Sequence, residues 1–281
     1  MDKCKLFSQV INVINILILG DRMEWFANLN VVVQALLATI FSYLLTALGA
    51  SLVFFFKKIN KKILDVMLGM ASGIMIAASF WSLLNPAIEL AATIHKNKIV
   101  IPVVGFIAGG LFVIGSDILL SFKFKIENKK KKNFLLVSAV TLHNIPEGMA
   151  IGVAFGTLGL MIPGATLIDA MLLALGIGIQ NFPEGACVAM PLRSQGYSRS
   201  KAFFVGQASG VVEVFAGLLG VVFALTVRAM LPFLLAFSAG AMIAVVCSEL
   251  IPEAFEDNKI LATLGVILGF VTMMFLDVAL G

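Results

Sequence analysis

Two six-residue stretches, HNIPEG at residues 143–148 and QNFPEG at residues 180–185, constrain this chain more than any other feature. Each lies in the middle of an apolar run long enough to cross a bilayer, and each carries a glutamate, Glu147 or Glu184. A carboxylate at membrane depth is costly and usually marks a functional site. Each stretch also carries a proline, which removes a backbone donor and predicts a break in its helix. Two broken helices with buried carboxylates predict a cation pathway through a membrane.

The composition agrees with a membrane location. Of the 281 residues, 60% are hydrophobic and 13% are charged, whereas a soluble domain has about half apolar and about a quarter charged residues. The net charge of +4 therefore indicates no nucleic-acid partner, because in a membrane protein the placement of Lys and Arg matters more than their sum. We predict an all-α polytopic membrane protein in contact with the lipid bilayer.

Eight apolar segments are long enough to span a bilayer. They are residues 30–56, 63–92, 99–121, 134–158, 166–192, 200–226, 231–254 and 260–280. We assign residues 30–281 to an eight-helix transport domain and residues 1–29 to an N-terminal segment. Within that segment, residues 6–20 are short for a span and predict either an interfacial helix or an additional tilted one.

The Lys and Arg residues predict the orientation of the spans. They are concentrated in the connections after the first, third and fifth spans, and few lie in the connections on the other face. The positive-inside rule then places both ends of the eight-span unit outside the cytoplasm, in a multi-pass protein of the cell membrane. The run Lys129–Lys132 is interpreted as a solvated cytoplasmic loop.

A repeat is visible in the sequence. Residues 73–77, GIMIA, are echoed by residues 240–244, GAMIA, and each is followed by a proline and a glutamate. The second and seventh spans run in opposite directions, so the repeat is inverted, with three helices, two central helices and three helices. Chance similarity of short apolar stretches is the alternative. Inverted repeats with a site at their interface are typical of transporters.

The polar residues of the two central stretches share helix faces. His143 and Glu147 are four residues apart, and Gln180 and Glu184 repeat that spacing. Buried carboxylates repel one another at low dielectric, and divalent cations remove that repulsion. Imidazole, carboxylate and amide ligands suit Zn²⁺, Fe²⁺, Mn²⁺ or Cd²⁺, and the three widely spaced cysteines predict no thiolate site. The predicted metal ligands are His143, Asn144, Glu147, Gln180, Asn181, Glu184 and, on the sixth span, Glu213.

The eight-span unit resembles the ZIP family of divalent-metal transporters, bacterial-type members in particular, through HNxPEG in span 4 and QNxPEG in span 5. The resemblance implies an eight-helix bundle whose helices 4 and 5 kink around a binuclear metal centre, with alternating access and often a homodimer. The implied first site contains His143, Glu147, Gln180 and Glu184, with Met75 close by. The implied second site contains Asn144, Glu147, Asn181, Glu184 and Glu213, so that the two central glutamates bridge the metals.

The chain departs from the family at several positions. Many members carry His where Gln180 stands, and some carry Asp where Asn181 stands; both changes weaken the ligand set. In helix 7 many members have His-Glu before the proline, whereas Ser248 precedes Glu249 here. We predict that Glu249 helps metal leave towards the cytoplasm. Glu89 and Asp277 are predicted to form an entrance funnel at the outer face.

The function predicted is transport of Zn²⁺, with Cd²⁺, Fe²⁺ and Mn²⁺ as related substrates, into the cytoplasm, with no cofactor besides the transported ion. One alternative is an intramembrane metal-dependent hydrolase, which requires a metal-bound water and a general base. The spacing of His143 and Glu147 superficially suggests one, but the chain has no HExxH motif. A cation sensor is a third class, and would normally bring a soluble domain.

Overall fold

Long α-helices dominate the computed structural model, which describes residues 24–56, 60–94, 99–123, 129–162 and 165–280. No strand occurs in those ranges. The helical segments are α1 Val31–Phe55, α2 Lys61–Thr93, α3 Val100–Lys123, α4 Lys129–Gly159, α5 Leu167–Ser194, α6 Arg199–Thr226, α7 Leu231–Ala254 and α8 Lys259–Val278. They coincide with the predicted spans to within a few residues.

Seven of these segments, all except α4, are long and apolar enough to cross a membrane, as counted over the described residues. The prediction of an all-α polytopic membrane protein is therefore confirmed. The helix α4 occupies the predicted fourth span, and the number of eight spans stays a prediction. Residues 6–20, with the predicted extra or interfacial helix, lie outside the described residues.

Side-chain caps fix where several helices begin. The Asn30 side chain accepts a hydrogen bond from the Val32 amide, and Asn60 caps α2 in the same way. At the start of α5, Thr166 and Asp169 form a reciprocal capping box. Such caps satisfy amides that have no partner inside the helix. Polar residues in the short connections thus set the register of the apolar segments that follow.

Two local predictions were wrong. Pro146 and Pro183 lie inside α4 and α5, which remain helical on both sides of them. A proline removes one hydrogen bond of the helix, and the bonds of the flanking residues are enough to continue it here. The run Lys129–Lys132 forms the first turn of α4 and is not a loop, in keeping with the good helix propensity of lysine.

The helical irregularities lie elsewhere in the bundle. Wide π-helical turns occur at Ser79–Leu84 in α2 and at Val246–Leu250 in α7, in each case just before a proline. The helix α6 is interrupted at residues 209–210, between Arg199–Ala208 and Val211–Thr226. Such irregular turns release backbone groups from the regular pattern and are frequent at functional sites.

The helix pairing has the symmetry of an inverted repeat. The most extensive contacts join α2 to α8, α3 to α7, α1 to α5 and α4 to α6. In an inverted repeat, α1, α2 and α3 correspond to α6, α7 and α8, and α4 corresponds to α5. Under this correspondence the α2–α8 pair is equivalent to the α7–α3 pair, and the α1–α5 pair is equivalent to the α6–α4 pair. The contacts of α5 with α2 and of α4 with α7 exchange in the same way. This packing supports the repeat proposed from the sequence.

Glycine allows the closest of these contacts. A Cβ atom on Gly185 would collide with the Thr46 carbonyl of α1, and one on Gly148 would collide with the Glu213 backbone of α6. The backbones of α5 and α1, and of α4 and α6, therefore touch beside the two central motifs. The absence of a side chain at Gly148 and Gly185 permits this close approach.

Contacts near the helix ends sort the connections onto two faces. The Lys61 ammonium lies 2.7 Å from the Asp257 carboxylate, which places the α1–α2 and α7–α8 connections on one face. The opposite ends of α2 and α8 line a cavity together with the beginning of α5. This arrangement agrees with the alternating orientation that the Lys and Arg residues predict.

Candidate metal centre

The predicted ligands lie inside the bundle, on the central helices. Four of them, Asn144, Glu147, Gln180 and Asn181, are at most 1% exposed, and Glu184 is 5% exposed. Glu213 of α6 is fully buried. His143 belongs to α4, but its side chain lies outside the description. The structure therefore brings the oxygen-bearing members of the predicted set into the interior of the helix bundle.

Two buried amides are anchored through their nitrogen atoms. Asn144 Nδ2 donates to the backbone oxygen of Ser209 at 2.8 Å, at the interruption of α6. Gln180 Nε2 donates to Glu147 Oε1 at 2.7 Å, across from α5 to α4. Carbonyl and carboxylate oxygens only accept hydrogen bonds, so these partners fix which end of each amide faces them.

The third amide, Asn181, is anchored twice. Its Nδ2 donates to Glu213 Oε1 and to Ser42 Oγ, both at 2.8 Å. The Ser42 hydroxyl in turn donates to Glu213 Oε2 at 2.7 Å. A network from α1, α5 and α6 therefore closes around this asparagine.

Oxygen atoms without partners point to a cation. The buried oxygens with no hydrogen-bond partner among the described residues include Asn144 Oδ1, Glu147 Oε2, Gln180 Oε1, Asn181 Oδ1 and Glu184 Oε1. Leaving a buried acceptor unpaired costs about 1–3 kcal/mol. A divalent cation takes carboxylate and carbonyl oxygens as ligands and would satisfy several of these atoms at once.

Carboxylates alone do not build this site. Glu147 experiences repulsion from Glu184 and Glu213. Yet the described residues contain no group of three or more His, Cys, Asp or Glu side chains that could together hold one metal ion. Within the described set, the amide oxygens of α4 and α5 must therefore complete the coordination of any bound cation.

Met75 is fully buried in α2, a helix that packs against α5. Its backbone oxygen accepts a hydrogen bond from the Ser79 hydroxyl at 2.6 Å, at the start of the π turn. Its proximity to the metal remains a prediction.

The predicted entrance residues share one cavity. Glu89 and Asp277 both line a space of about 430 Å³ between the ends of α2 and α8 and the beginning of α5. Asp277 Oδ1 accepts a hydrogen bond from the Ser82 hydroxyl at 2.7 Å, and its Oδ2 is buried without a partner. The two residues thus face the same space, as an entrance funnel requires.

Sequence reasoning missed a third acidic residue of this cavity, Asp169. Its carboxylate accepts hydrogen bonds from the Thr166 amide and hydroxyl. The pattern Thr-x-x-Asp at the beginning of the fifth span is a capping-box signature and would have located it at the beginning of α5.

Carboxylates also continue from the centre towards the opposite face. Glu249, half-buried in the π turn of α7, experiences repulsion from Asp117 of α3 and from Glu253. Glu253 is in turn near enough to Glu184 of the centre for a negative charge on one to disfavour a negative charge on the other. Sequence reasoning missed Glu253, although its spacing of four residues from Glu249 places the two on one helix face.

Taken together, the apolar bundle, the buried oxygen-lined centre and the acidic residues on either side of it define a class of protein: a membrane transporter of cations. Comparison with known proteins identifies the family. The sequence model of the ZIP zinc transporter family matches residues 123–277. The chain therefore belongs to the ZIP family, as its two central motifs indicated. It is a multi-pass transporter of divalent metal ions and not an enzyme, and the hydrolase alternative finds no support.

Relatives cover nearly the whole chain. The zinc transporter ZIP11 of Xenopus tropicalis is 39% identical over 89% of this chain and 98% of its own length. ZIP11 of Homo sapiens is 37% identical over the same shares of the two chains. The zinc transporter ZIPB of Bordetella bronchiseptica is 36% identical over 84% of this chain and 78% of its own. The similarity thus extends to both animal and bacterial members.

Proposed function

We propose that this chain moves Zn²⁺ across the cell membrane into the cytoplasm through the centre between α4 and α5. One observation carries the proposal: three buried amides have their nitrogens tied to acceptors and their oxygens free, beside Glu147 and Glu184. Because the amide nitrogens face acceptors of the protein, an anion would meet mainly acceptor oxygens. A cation is the ligand that suits such a surface.

The centre has two sites that share the two glutamates. The first is formed by His143, Glu147, Gln180 and Glu184. The second takes the oxygens of Asn144 and Asn181 with the same glutamates. The free atoms Glu147 Oε2 and Glu184 Oε1 support bridging, because each glutamate keeps an oxygen that no protein donor occupies.

The ligand types favour Zn²⁺ and its neighbours Cd²⁺, Fe²⁺ and Mn²⁺. Carboxylate and amide oxygens with one imidazole do not select strongly among borderline and hard divalent ions. Neutral amides where other members carry His or Asp lower the affinity, which favours release, and conduction requires release. The names of the relatives, all zinc transporters, support Zn²⁺ as the main substrate.

The route runs from the outer cavity to the cytoplasm. Glu89 and Asp277, with Asp169, collect the ion at the outer face, and Glu253 and Glu249 receive it on the other side of the centre. Repulsion among these carboxylates is relieved when a cation lies between them. The concentration of Lys and Arg in the alternate connections supports the placement of this cavity at the outer face.

The grouping of the helices supports alternating access. The helix α1 contacts α4, α5 and α6, whereas α2 pairs with α8 and α3 with α7. A body of α1, α4, α5 and α6 that carries the metal against the remaining helices would expose the centre to each face in turn. We propose that this motion takes place within a homodimer.

Uptake into proteoliposomes tests the function. The purified full-length chain is reconstituted, and Zn²⁺ entry is followed with an internal fluorescent indicator while Cd²⁺, Fe²⁺ or Mn²⁺ competes outside. We expect saturable Zn²⁺ entry that the other ions inhibit, with protein-free liposomes as the control. Zn²⁺ that binds the protein but never enters the vesicles would overturn the proposal.

A further inference from the structure

The helix α8 contributes one long buried side chain, Met273, that belongs to neither the proposed centre nor the outer cavity. The buried residues of α8 are spaced three or four apart and share one face: Ala262, Gly265, Gly269 and Met273. A Cβ atom on Gly269 would lie 2.0 Å from the Met70 carbonyl oxygen of α2, so the small residues serve close backbone packing. Met273 is fully buried, and its length allows it to reach beyond that contact.

The thioether of Met273 lies against α5 at Gly176. A Cβ atom on Gly176 would lie 2.5 Å from Met273 Sδ and 2.9 Å from its Cε. The thioether therefore fills the space that a side chain at residue 176 would occupy. The Cγ2 atom of Ile74, on α2, lies 3.6 Å from the same point. The sulfur is thus located where α2, α5 and α8 meet.

This meeting point lies between the outer cavity and the proposed centre. On α5, Leu173 lines the cavity, and Gln180 is an expected ligand of the first site. Gly176 is about 4.5 Å along the helix from Leu173 and about 6 Å from Gln180, and these spacings keep all three on one face. On α8, Asp277 lines the same cavity and follows Met273 by one helical turn. Both helices therefore place the thioether one turn from the cavity, towards the centre.

We propose that Met273 is a specificity-determining residue of transport, whose sulfur contacts the ion on its way from the outer cavity to the centre and favours soft ions over hard ones. This inference rests on the proposed function and its route. A thioether is a soft ligand and suits Cd²⁺, whereas Mn²⁺ prefers oxygen ligands. The carboxylates of the cavity do not make that distinction, because they suit both ions.

A purely structural role of Met273 would affect all ions alike. Methionine often fills irregular gaps between packed elements, and its replacement would then change stability or the overall rate of uptake. A contact between sulfur and the ion changes the relative uptake of soft and hard ions instead. Leucine has nearly the volume of methionine and no sulfur, so Met273→Leu separates the two roles.

The experiment is uptake of radioactive Cd²⁺, Zn²⁺ and Mn²⁺ into proteoliposomes that hold the full-length protein, with kcat/KM measured for each ion. We expect Met273→Leu to lower the ratio of Cd²⁺ to Mn²⁺ by about three- to tenfold, the size of one weak ligand contact, and the ratio of Cd²⁺ to Zn²⁺ in the same direction. Met190→Leu is the matched control. Met190 is buried in a separate core cluster, on α5 beyond Glu184, and its replacement should leave both ratios unchanged.

Met273→Cys provides an independent test, because a cysteine keeps a soft sulfur at this position. We expect its ratio of Cd²⁺ to Mn²⁺ to equal or exceed that of the wild type, even if the smaller side chain changes the rate for every ion. Unchanged ratios in Met273→Leu, or the same fall in Met273→Cys as in Met273→Leu, would overturn the role of the sulfur while transport itself stands. A wild-type protein that takes up no Zn²⁺ would overturn the proposed function as well.

Discussion

At the scale of single residues, the centre depends on amides as much as on carboxylates. Each of Asn144, Gln180 and Asn181 donates through its nitrogen to a fixed acceptor and keeps a free oxygen. An amide oxygen attracts a divalent ion less strongly than a carboxylate does, since it carries no net charge. In the proposed centre, a cation would therefore be held without a full shell of buried negative charges, which would repel one another in the absence of metal.

Substitution of Gln180 by glutamate tests this balance. Gln180→Glu adds a negative charge next to Glu147 and removes the hydrogen bond between them. Since the charge strengthens metal binding and slows release, we expect KM and kcat for Zn²⁺ uptake each to fall, by about three- to tenfold for a partly compensated change of this kind. Uptake kinetics in proteoliposomes measure both constants, and a KM that rises would contradict the ligand role of residue 180.

The sequence was sufficient to find the glutamates, asparagines and glutamine of this centre, because such residues stand out in apolar runs. It was not sufficient for Ser42. A serine in a membrane helix commonly bonds its own backbone, as Ser72 and Ser79 do. Only the tertiary contact with Glu213, 171 residues away along the chain, distinguishes Ser42 from them.

At the scale of helices, close backbone contacts hold the two central motifs in place. The helix α5 lies against α1 at Gly185, and α4 lies against α6 at Gly148. In a bilayer, small residues at such contacts replace the hydrophobic driving force that packs soluble proteins. The same contacts therefore determine both the stability of the bundle and the spacing of the metal ligands.

The substitution Gly185→Ala should disturb both properties. Its Cβ would collide with the Thr46 carbonyl, and we expect a loss of about 2 kcal/mol or more, as for overpacked interiors, together with reduced Zn²⁺ uptake. Gly115→Ala is the matched control: a Cβ there meets nothing within 4 Å, and the change should stay within about 0.5 kcal/mol. Thermal unfolding in detergent compares the variants, and equal stability of the two would contradict the packing described.

The positions of the helices followed from hydropathy, but their irregularities did not. Prolines inside the predicted spans invite a break on the pattern of the sequence alone. In the structure α4 and α5 continue through Pro146 and Pro183, whereas π turns precede Pro86 and Pro252. Whether a helix continues through a proline or forms a π turn before it depends on the packing of the neighbouring helices. The local sequence does not contain that information.

At the scale of the whole molecule, two pieces of evidence define the two faces of the bundle. The Lys61–Asp257 ion pair joins two connections on one face, and the acidic cavity lies at the other ends of α2 and α8. The exposed ion pair itself is worth about 1 kcal/mol or less. The ion pair is informative because it shows that the α1–α2 and α7–α8 connections share a face. That placement agrees with the charge asymmetry of the connections.

Cysteine labelling tests the orientation. In a background without the native cysteines, we expect a membrane-impermeant thiol reagent to label Met161→Cys, whose native side chain is 89% exposed, in intact cells. Glu256→Cys, at the end that carries the Lys61–Asp257 pair, should react only after the membrane is opened. Labelling with the opposite pattern would place the acidic cavity at the cytoplasmic face and contradict the proposed orientation.

The most direct measurement is Zn²⁺ uptake into proteoliposomes by Glu147→Gln beside Glu256→Gln. Both variants replace one carboxylate by an amide, but Glu147 is fully buried at the centre and Glu256 is exposed at the end of α7. We predict that Glu147→Gln abolishes saturable uptake, because both metal sites share that carboxylate, while Glu256→Gln transports like the wild type. Saturable uptake that persists in Glu147→Gln would show that the ion crosses the bundle without the centre between α4 and α5.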